Sequence, residues 1–420
     1  MGEIVVKRVL MIAYHYPPLQ GSSGIQRTLK FSRYLPESGW EPIILGAHPR
    51  AFQASGDAQM DEIPVSVPVH RPFALDAAKH CAIRGKYPLL LALPDRWASW
   101  WLGAVPEGLR MIRKYRPDAI WSTYPIATAH WIGLTLHRLT GIPWIADFRD
   151  PMADEDVVMT GTQRRVHEWI ERNTILRCTH AVMTTPGALR IYRERYPALP
   201  ANRFICIPNG FDEENFASAE KLLPNRDAAS TGPAVLLHSG IVYSSERNPT
   251  HLFMAIAALM HAGKISAQTC RIVLRATQND DALKLMIAEY GVGSIVQLAP
   301  HIPYRQALTE MLTTDGLLIL QASNCNHQVP AKLYEYLRAG RPILALTDPA
   351  GDTAKTLREA GMHAIAPLDD VRAIQDGLLD FLAALRQGSS ESASPGYVAG
   401  CSRQARTVEL AKLLDECIDL

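Results

Sequence analysis

Residues 317–346 read Leu317-Leu-Ile-Leu320, Gln321-Ala-Ser-Asn-Cys-Asn-His-Gln-Val329, Pro330-Ala-Lys-Leu-Tyr-Glu-Tyr-Leu-Arg-Ala-Gly340 and Arg341-Pro-Ile-Leu-Ala-Leu346. Two short, unbroken apolar runs flank a segment with helical spacing. Proline suits the first turn of a helix, where its missing N–H would have had no partner anyway. Leu333 and Leu337, four apart, fall on one face, and Gly340 suits the left-handed residue that stops a helix. Strands apolar at every position are buried on both faces, the habit of parallel sheets covered by helices. The stretch therefore predicts a strand–loop–helix–strand unit of a doubly wound α/β domain.

The same alternation runs outward in both directions. Downstream, 234–238, 272–276, 295–299, 317–320, 343–346 and 364–366 read as strands, with helices near 249–262, 281–290, 304–313, 331–339, 352–360 and 370–386. Upstream, 9–13, 43–45, 119–122, 144–146, 181–184 and 204–207 read as strands, with helices near 25–36, 127–139 and 163–177. Two Rossmann-like domains are expected, 1–210 and 233–393, joined by a turn-rich linker at 211–232. Residues 394–420 are expected to end in a helix that crosses back to the first domain. Open α/β sheets bind ligands outside the carboxyl ends of their strands. The chemistry is thus expected in loops that follow strands, at a cleft shared by both domains.

Composition narrows the function. The 420 residues suit two domains. With 47% apolar and 20% charged residues the chain is globular, and a formal charge of +1 leaves no expectation of a nucleic-acid partner. Cations exceed acids in 1–210 and acids exceed cations in 211–420, a tilt that suits an anionic partner for the first half or plain surface charge. Cys81, Cys178, Cys206, Cys270, Cys325, Cys401 and Cys417 are scattered, odd in number and form no Cys-x-x-Cys pair, so a reducing compartment is expected. No run approaches the roughly 18–20 apolar residues of a membrane span, and 9–13 is too short for a signal-peptide core. A cytoplasmic protein, at most peripheral to the membrane, is expected.

Four loops carry candidate chemistry. The first spans Tyr14 to Gly24, where Gly21 and Gly24 precede a helix and either let an anion or sugar approach its backbone or simply pack the loop. It lacks the third glycine of a dinucleotide fingerprint and the lysine of a phosphate-binding loop. The second follows the strand at 144–146: Asp147, Arg149 and Asp150 form either a structural arginine–carboxylate clamp or a contact to substrate hydroxyls. In the third, Lys332 and Glu335 share a helix face, where a cation and a helix start suit a diphosphate and a carboxylate suits ribose hydroxyls; an exposed ion pair is the alternative. The fourth contains Gly240 and Arg247, whose place beside a helix start suits either a second phosphate contact or a plain surface role. Separately, 85–101 combines an apolar run with Trp97, Trp100, Trp101, Lys86 and Arg96, which suits a lipid-linked acceptor at a membrane interface, or a packed core loop.

The segments "YHYPPLQGSSGIQRTLKFSRYLPESGWEP", "GIPWIADFRDP", "IPNGFD" and "VPAKLYEYLRAGRPILAL" stand in the order and spacing of family motifs. With them the chain resembles the retaining glycosyltransferases of GT-B fold, specifically glycosyltransferase family 4 of bacterial surface-polysaccharide synthesis. The resemblance implies a nucleotide-diphosphate sugar, UDP- or GDP-type, bound mainly by the C-terminal domain, and a glycan or lipid-linked acceptor bound mainly by the N-terminal one. It implies that Glu335 binds ribose, and that Gly21 and Gly24 lie near the donor phosphates. Gly240, Arg247, His327, Lys332 and Leu333 would join them in donor binding, with Asp147, Arg149 and Asp150 around the reaction centre. The chain departs from the family pattern at His327, where a donor-binding carboxylate is usual, and at Ile241, where an arginine is usual. No convincing Asp-x-Asp loop appears, so neither metal nor other cofactor is expected. A sugar-nucleotide epimerase of the same fold, and a non-catalytic nucleotide binder, remain the alternative readings.

Overall fold

The computed structural model describes residues 6–21, 24–57, 59–153, 159–223 and 232–419. The chain divides into two compact units, Met1–Asn209 with Arg403–Leu420, and Gly210–Ser402.

In the first unit β1 (Lys7–Ile12), β2 (Trp40–Leu45), β3 (Val69–His70), β4 (Ala119–Thr123), β5 (Trp144–Arg149), β6 (His180–Met183) and β7 (Phe204–Cys206) form a seven-stranded sheet among the described residues. All its pairs are parallel, in the order β3-β2-β1-β4-β5-β6-β7. The strand order reverses between β1 and β4, the switch point at which doubly wound sheets open a ligand crevice. Val9 to Ile12 and every residue of β4 are buried, as helices on both faces require. The sequence pattern did not show the two-residue β3 or the helix Trp100–Tyr115. A strand that short has no period, and Pro106 inside that helix breaks the usual helical signature. The last helix, Arg403–Ile418, packs beside Gly24–Tyr34, and its Asp415 accepts from Lys7 Nζ at 2.7 Å and Trp40 Nε1 at 2.9 Å.

In the second unit β8 (Ala234–Ser239), β9 (Cys270–Arg275), β10 (Val296–Ala299), β11 (Gly316–Leu320), β12 (Ile343–Leu346) and β13 (Ile365–Ala366) form a six-stranded parallel sheet, order β10-β9-β8-β11-β12-β13. Its switch point lies between β8 and β11. The helix Lys332–Ala339 follows β11 and stops at Gly340, whose φ of 66° is the left-handed cap the sequence called for.

Residues 211–223 are not an open linker. Asp212 accepts from Asn215 N at 3.0 Å and caps the helix Glu213–Glu220, whose Phe216 and Ala219 are buried with Leu308 and Met311 in the second unit's core. Arg338 Nε donates to Glu213 at 2.7 Å and Nη2 to Glu220 at 3.0 Å, holding that helix down. The rest of the expected linker, 224–231, lies outside the described residues. The short helix Pro395–Gly400 also belongs to the second unit.

Candidate active site

At the switch point of the second unit, β8 ends in His238-Ser239-Gly240. Gly240 has a φ of 115°, which side-chain-bearing residues rarely adopt, and a Cβ there would stand 3.0 Å from Lys332 Nζ. The bare backbone thus leaves room for the lysine. Lys332 opens its helix, Ala331 before it provides no side-chain cap, and Lys332 Nζ lies 3.1 Å from His238 Nε2. Fully buried His238 places Nδ1 3.0 Å from the Leu318 carbonyl. The Leu318 contact assigns the proton to Nδ1, so Nε2 is left to accept from the ammonium. Burial, reinforced by the Arg247 guanidinium, holds Lys332 well below the usual lysine range, against the pull of Glu335. Burial and the Lys332 charge likewise hold His238 below the usual histidine range.

The two other charged residues complete this face. Arg247 Nη1 donates to the Ile241 carbonyl at 2.8 Å, and its guanidinium lies 5.1 Å from the Tyr243 ring centre. Glu335 Oε1 accepts from Tyr304 Oη at 2.6 Å. Two crowded cations beside an uncapped helix start can exchange mutual repulsion for an anion, and a carboxylate one turn on can accept from a diol. His327 stands partly exposed in the loop before that helix, with Nε2 3.4 Å from Gln328 Nε2. Leu333 does not join this face: its side chain is fully buried in the core and its N–H already donates to the Pro330 carbonyl at 2.9 Å.

At the carboxyl edge of the first unit, Arg149 ends β5 at a φ of 63°, a conformation costing a non-glycine residue about 1–2 kcal/mol. The strain is held from outside, since Thr184 donates to the Arg149 carbonyl from its N–H at 3.0 Å and its hydroxyl at 2.9 Å. Strained residues fixed by their surroundings concentrate at functional sites. The guanidinium donates from Nη1 to the Tyr124 carbonyl at 3.3 Å, while its buried Nε has no hydrogen-bond partner among the described residues. A Cβ on Gly24 would collide with His15 Nδ1 and come within 2.9 Å of Arg149 Nη1. Loop, helix start and strand end therefore converge on one spot. Burial and the Arg149 charge push His15 down to about 3. Asp150 adjoins Arg149 and counters the burial that lowers its basicity, whereas Gly21 stands exposed at a φ of 79°.

Asp147 and the three tryptophans are placed otherwise than expected. Asp147 is fully buried and bidentate with Arg27, at 2.7 Å from Nε and 3.1 Å from Nη2. It is the clamp of the alternative reading, but its arginine comes from the helix after β1 rather than from the next turn of its own loop. Trp100 Nε1 donates to the Gly46 carbonyl at 2.9 Å, Trp97 Nε1 to the Ala51 carbonyl at 3.1 Å and Trp101 Nε1 to Thr135 Oγ1 at 3.0 Å. Each indole is thus spent on packing within its own unit, the core-loop alternative, with Trp101 stacked on Trp131 at 4.9 Å.

His15, His238 and Tyr304 were not singled out from sequence. A histidine among apolar residues at the carboxyl end of a strand, as in 234–238, was the available signal. Tyr304 gave none, because its partner is distant in sequence. Among the described residues no cluster of three His, Cys, Asp or Glu side chains could hold a metal ion, and no helix is long and apolar enough to cross a membrane.

Solved structures share this architecture. Sucrose-phosphate synthase from Thermosynechococcus elongatus matches over 98% of this chain and 98% of its own, at 15% identity and a TM-score of 0.67. The UDP-forming α,α-trehalose-phosphate synthase from Burkholderia vietnamiensis matches over 98% and 99%, at 12% identity and a TM-score of 0.66. UDP-GlcNAc 2-epimerase from Neisseria meningitidis, bound to UDP-GlcNAc, matches over 97% and 100%, at 12% identity and a TM-score of 0.56. The fold is GT-B. Residues 23–210, within the first unit, match the family described as Glycosyl transferase 4-like domain, which agrees with the resemblance to family 4. No curated protein matches the chain by sequence.

Proposed function

We propose that the protein is a retaining glycosyltransferase. It moves a sugar from a UDP- or GDP-type donor to a glycan or lipid-linked acceptor in cell-surface polysaccharide synthesis, without a metal ion. The observation that carries the reading is the Lys332 ammonium, held 3.1 Å from His238 over the bare backbone of Gly240, with Arg247 and Glu335 beside it. Cleaving the anomeric bond builds negative charge on the departing diphosphate while the sugar gains oxocarbenium character. Lys332, Arg247 and the helix start are fixed cationic groups for that charge, and one well-placed donor contributes about 3 kcal/mol, roughly 100-fold in rate. Glu335, oriented by Tyr304, accepts from the ribose hydroxyls. Arg149, with its unpartnered Nε, and Asp150 serve the reacting sugar. The acceptor attacks from the face the diphosphate leaves, and the leaving phosphate oxygen takes its proton.

The test is incubation of the protein with UDP- and GDP-sugars, with and without lipid-linked acceptors, followed by NMR of the product. Net transfer with the donor's anomeric configuration kept supports the reading. Interconversion of donor sugars without an acceptor would instead make the protein an epimerase, the activity named for one neighbour of the same fold.

A further inference from the structure

The segment that carries the buried tryptophans also carries an exposed apolar tip that the proposed chemistry does not use. Ile83 is 79% exposed and Leu89, Leu90 and Leu91 are 43%, 79% and 45% exposed, within nine residues of one another in sequence. Between Asp76 and Asp95 the chain has no acidic residue, while Lys79, Arg84 and Lys86 are all exposed. Consecutive large apolar side chains facing water mark a contact surface, because scattered single ones are the norm.

The backbone of this tip is already satisfied. Ile83 and Lys86 exchange hydrogen bonds, N to O at 2.8 Å and 3.1 Å, across Arg84 and Gly85, whose φ values of 51° and 76° make a tight hairpin turn. Leu91 N donates to the Pro88 carbonyl at 3.0 Å in the single turn that presents the leucines. Polar backbone can therefore enter an apolar phase without leaving those donors bare. The base is rigid: Asp95 accepts from Thr128 N and Oγ1, each at 2.9 Å, and from Trp97 N at 3.0 Å, and Arg96 pairs with Asp76 at 3.3 Å. Thr128 opens the helix that follows β4, and Trp97 bonds the loop that follows β2. The tip is thus mounted on the carboxyl edge of the first sheet, the edge that also carries Arg149.

We propose that Ile83 and Leu89–Leu91, with Lys79, Arg84 and Lys86, dock the first unit onto an anionic lipid bilayer. Leucines entering the headgroup boundary supply the apolar part, and three exposed cations in a stretch with no acid between Asp76 and Asp95 supply charge complementarity to the leaflet. This inference is independent of the donor chemistry above, since it concerns only where the protein sits.

The full chain is sedimented with phosphatidylcholine vesicles, with and without phosphatidylglycerol. Binding is expected to the anionic vesicles and to weaken as salt rises. Arg84→Glu with Lys86→Glu should cut the partition coefficient roughly five-fold for each cation lost. Leu89→Ser, Leu90→Ser and Leu91→Ser together should cut it about ten-fold or more. Leu89 and Leu91 keep more than half of their surface covered, so a thermal scan checks that each variant stays folded at the assay temperature. Wild-type protein left in the supernatant, as expected of a tip made for a protein partner, overturns the proposal. So does a folded triple-serine variant that binds like wild type.

Discussion

Lys332 Nζ lies 3.1 Å from His238 Nε2, and the imidazole is itself fixed by the Leu318 carbonyl 3.0 Å from Nδ1. The chain thus holds a cation in place with a neutral, buried acceptor instead of a carboxylate. A carboxylate would have neutralised the charge that a diphosphate needs.

The room for that ammonium comes from Gly240. Gly240→Ala puts a methyl 3.0 Å from Lys332 Nζ and a side chain at a φ of 115°. Nucleoside diphosphate affinity should fall about ten-fold or more, with a stability loss of about 1–3 kcal/mol. Isothermal calorimetry and urea unfolding read the two effects. An alanine variant that binds like wild type would show that the lysine does not need this space.

If Arg149 acts on the reacting sugar as proposed, Arg149→Ala should lower turnover by about 100-fold while leaving nucleotide affinity nearly unchanged. Initial rates beside calorimetry separate the two, and equal losses in both would reassign Arg149 to structure.

Asp147→Asn should act on stability. It leaves Arg27, 1% exposed, as an uncompensated buried cation, at a cost of about 3–5 kcal/mol. A denaturation midpoint equal to that of wild type, together with lost turnover, would return Asp147 to the reaction centre.

Acid should destabilise the fold through His130. This residue is fully buried, bonds Ser122 Oγ through Nδ1 at 2.8 Å, and is held down to about 3 by burial, from an ordinary 6.5. Between those two values the unfolded chain binds the proton and the folded chain does not, so stability falls as pH drops below 6.5 and continues to fall towards 3. At pH 5 the loss is about 2 kcal/mol. His130→Asn should remove that share of the acid loss between pH 7 and pH 5, while buried His15, also held down to about 3, keeps its own. An unchanged acid slope in that variant would remove His130 as its source.

Most of the sheet framework was legible because strands buried on both faces leave unbroken apolar runs, and 343–346 is occupied by β12 at both expected ends. The helix after β11 was legible from Pro330, the Leu333–Leu337 pair and Gly340. What local pattern could not give was partnership across the chain. Asp147 and Arg149 look alike in sequence, each a charge at the end of one strand, yet Arg27, 120 residues away from Asp147, takes the first and leaves the second facing the loops. Similarly, the tryptophans of 97–101 read as an interface, whereas hydrogen bonds to Gly46, Ala51 and Thr135 turn them inward and leave the neighbouring leucines outside.

The central claim is that Lys332 is a cation kept short of its usual basicity until a diphosphate arrives. Calorimetry of UDP and GDP binding at pH 7 to 9, in buffers of differing ionisation heat, tests it directly. A negatively charged ligand favours the charged ammonium, so binding should take up a proton above the lowered Lys332 value, and affinity should fall as pH rises. In Lys332→Met the affinity should drop about ten-fold or more and the proton uptake should vanish. No binding of either nucleotide to the wild type, or undiminished binding to Lys332→Met, would contradict the account.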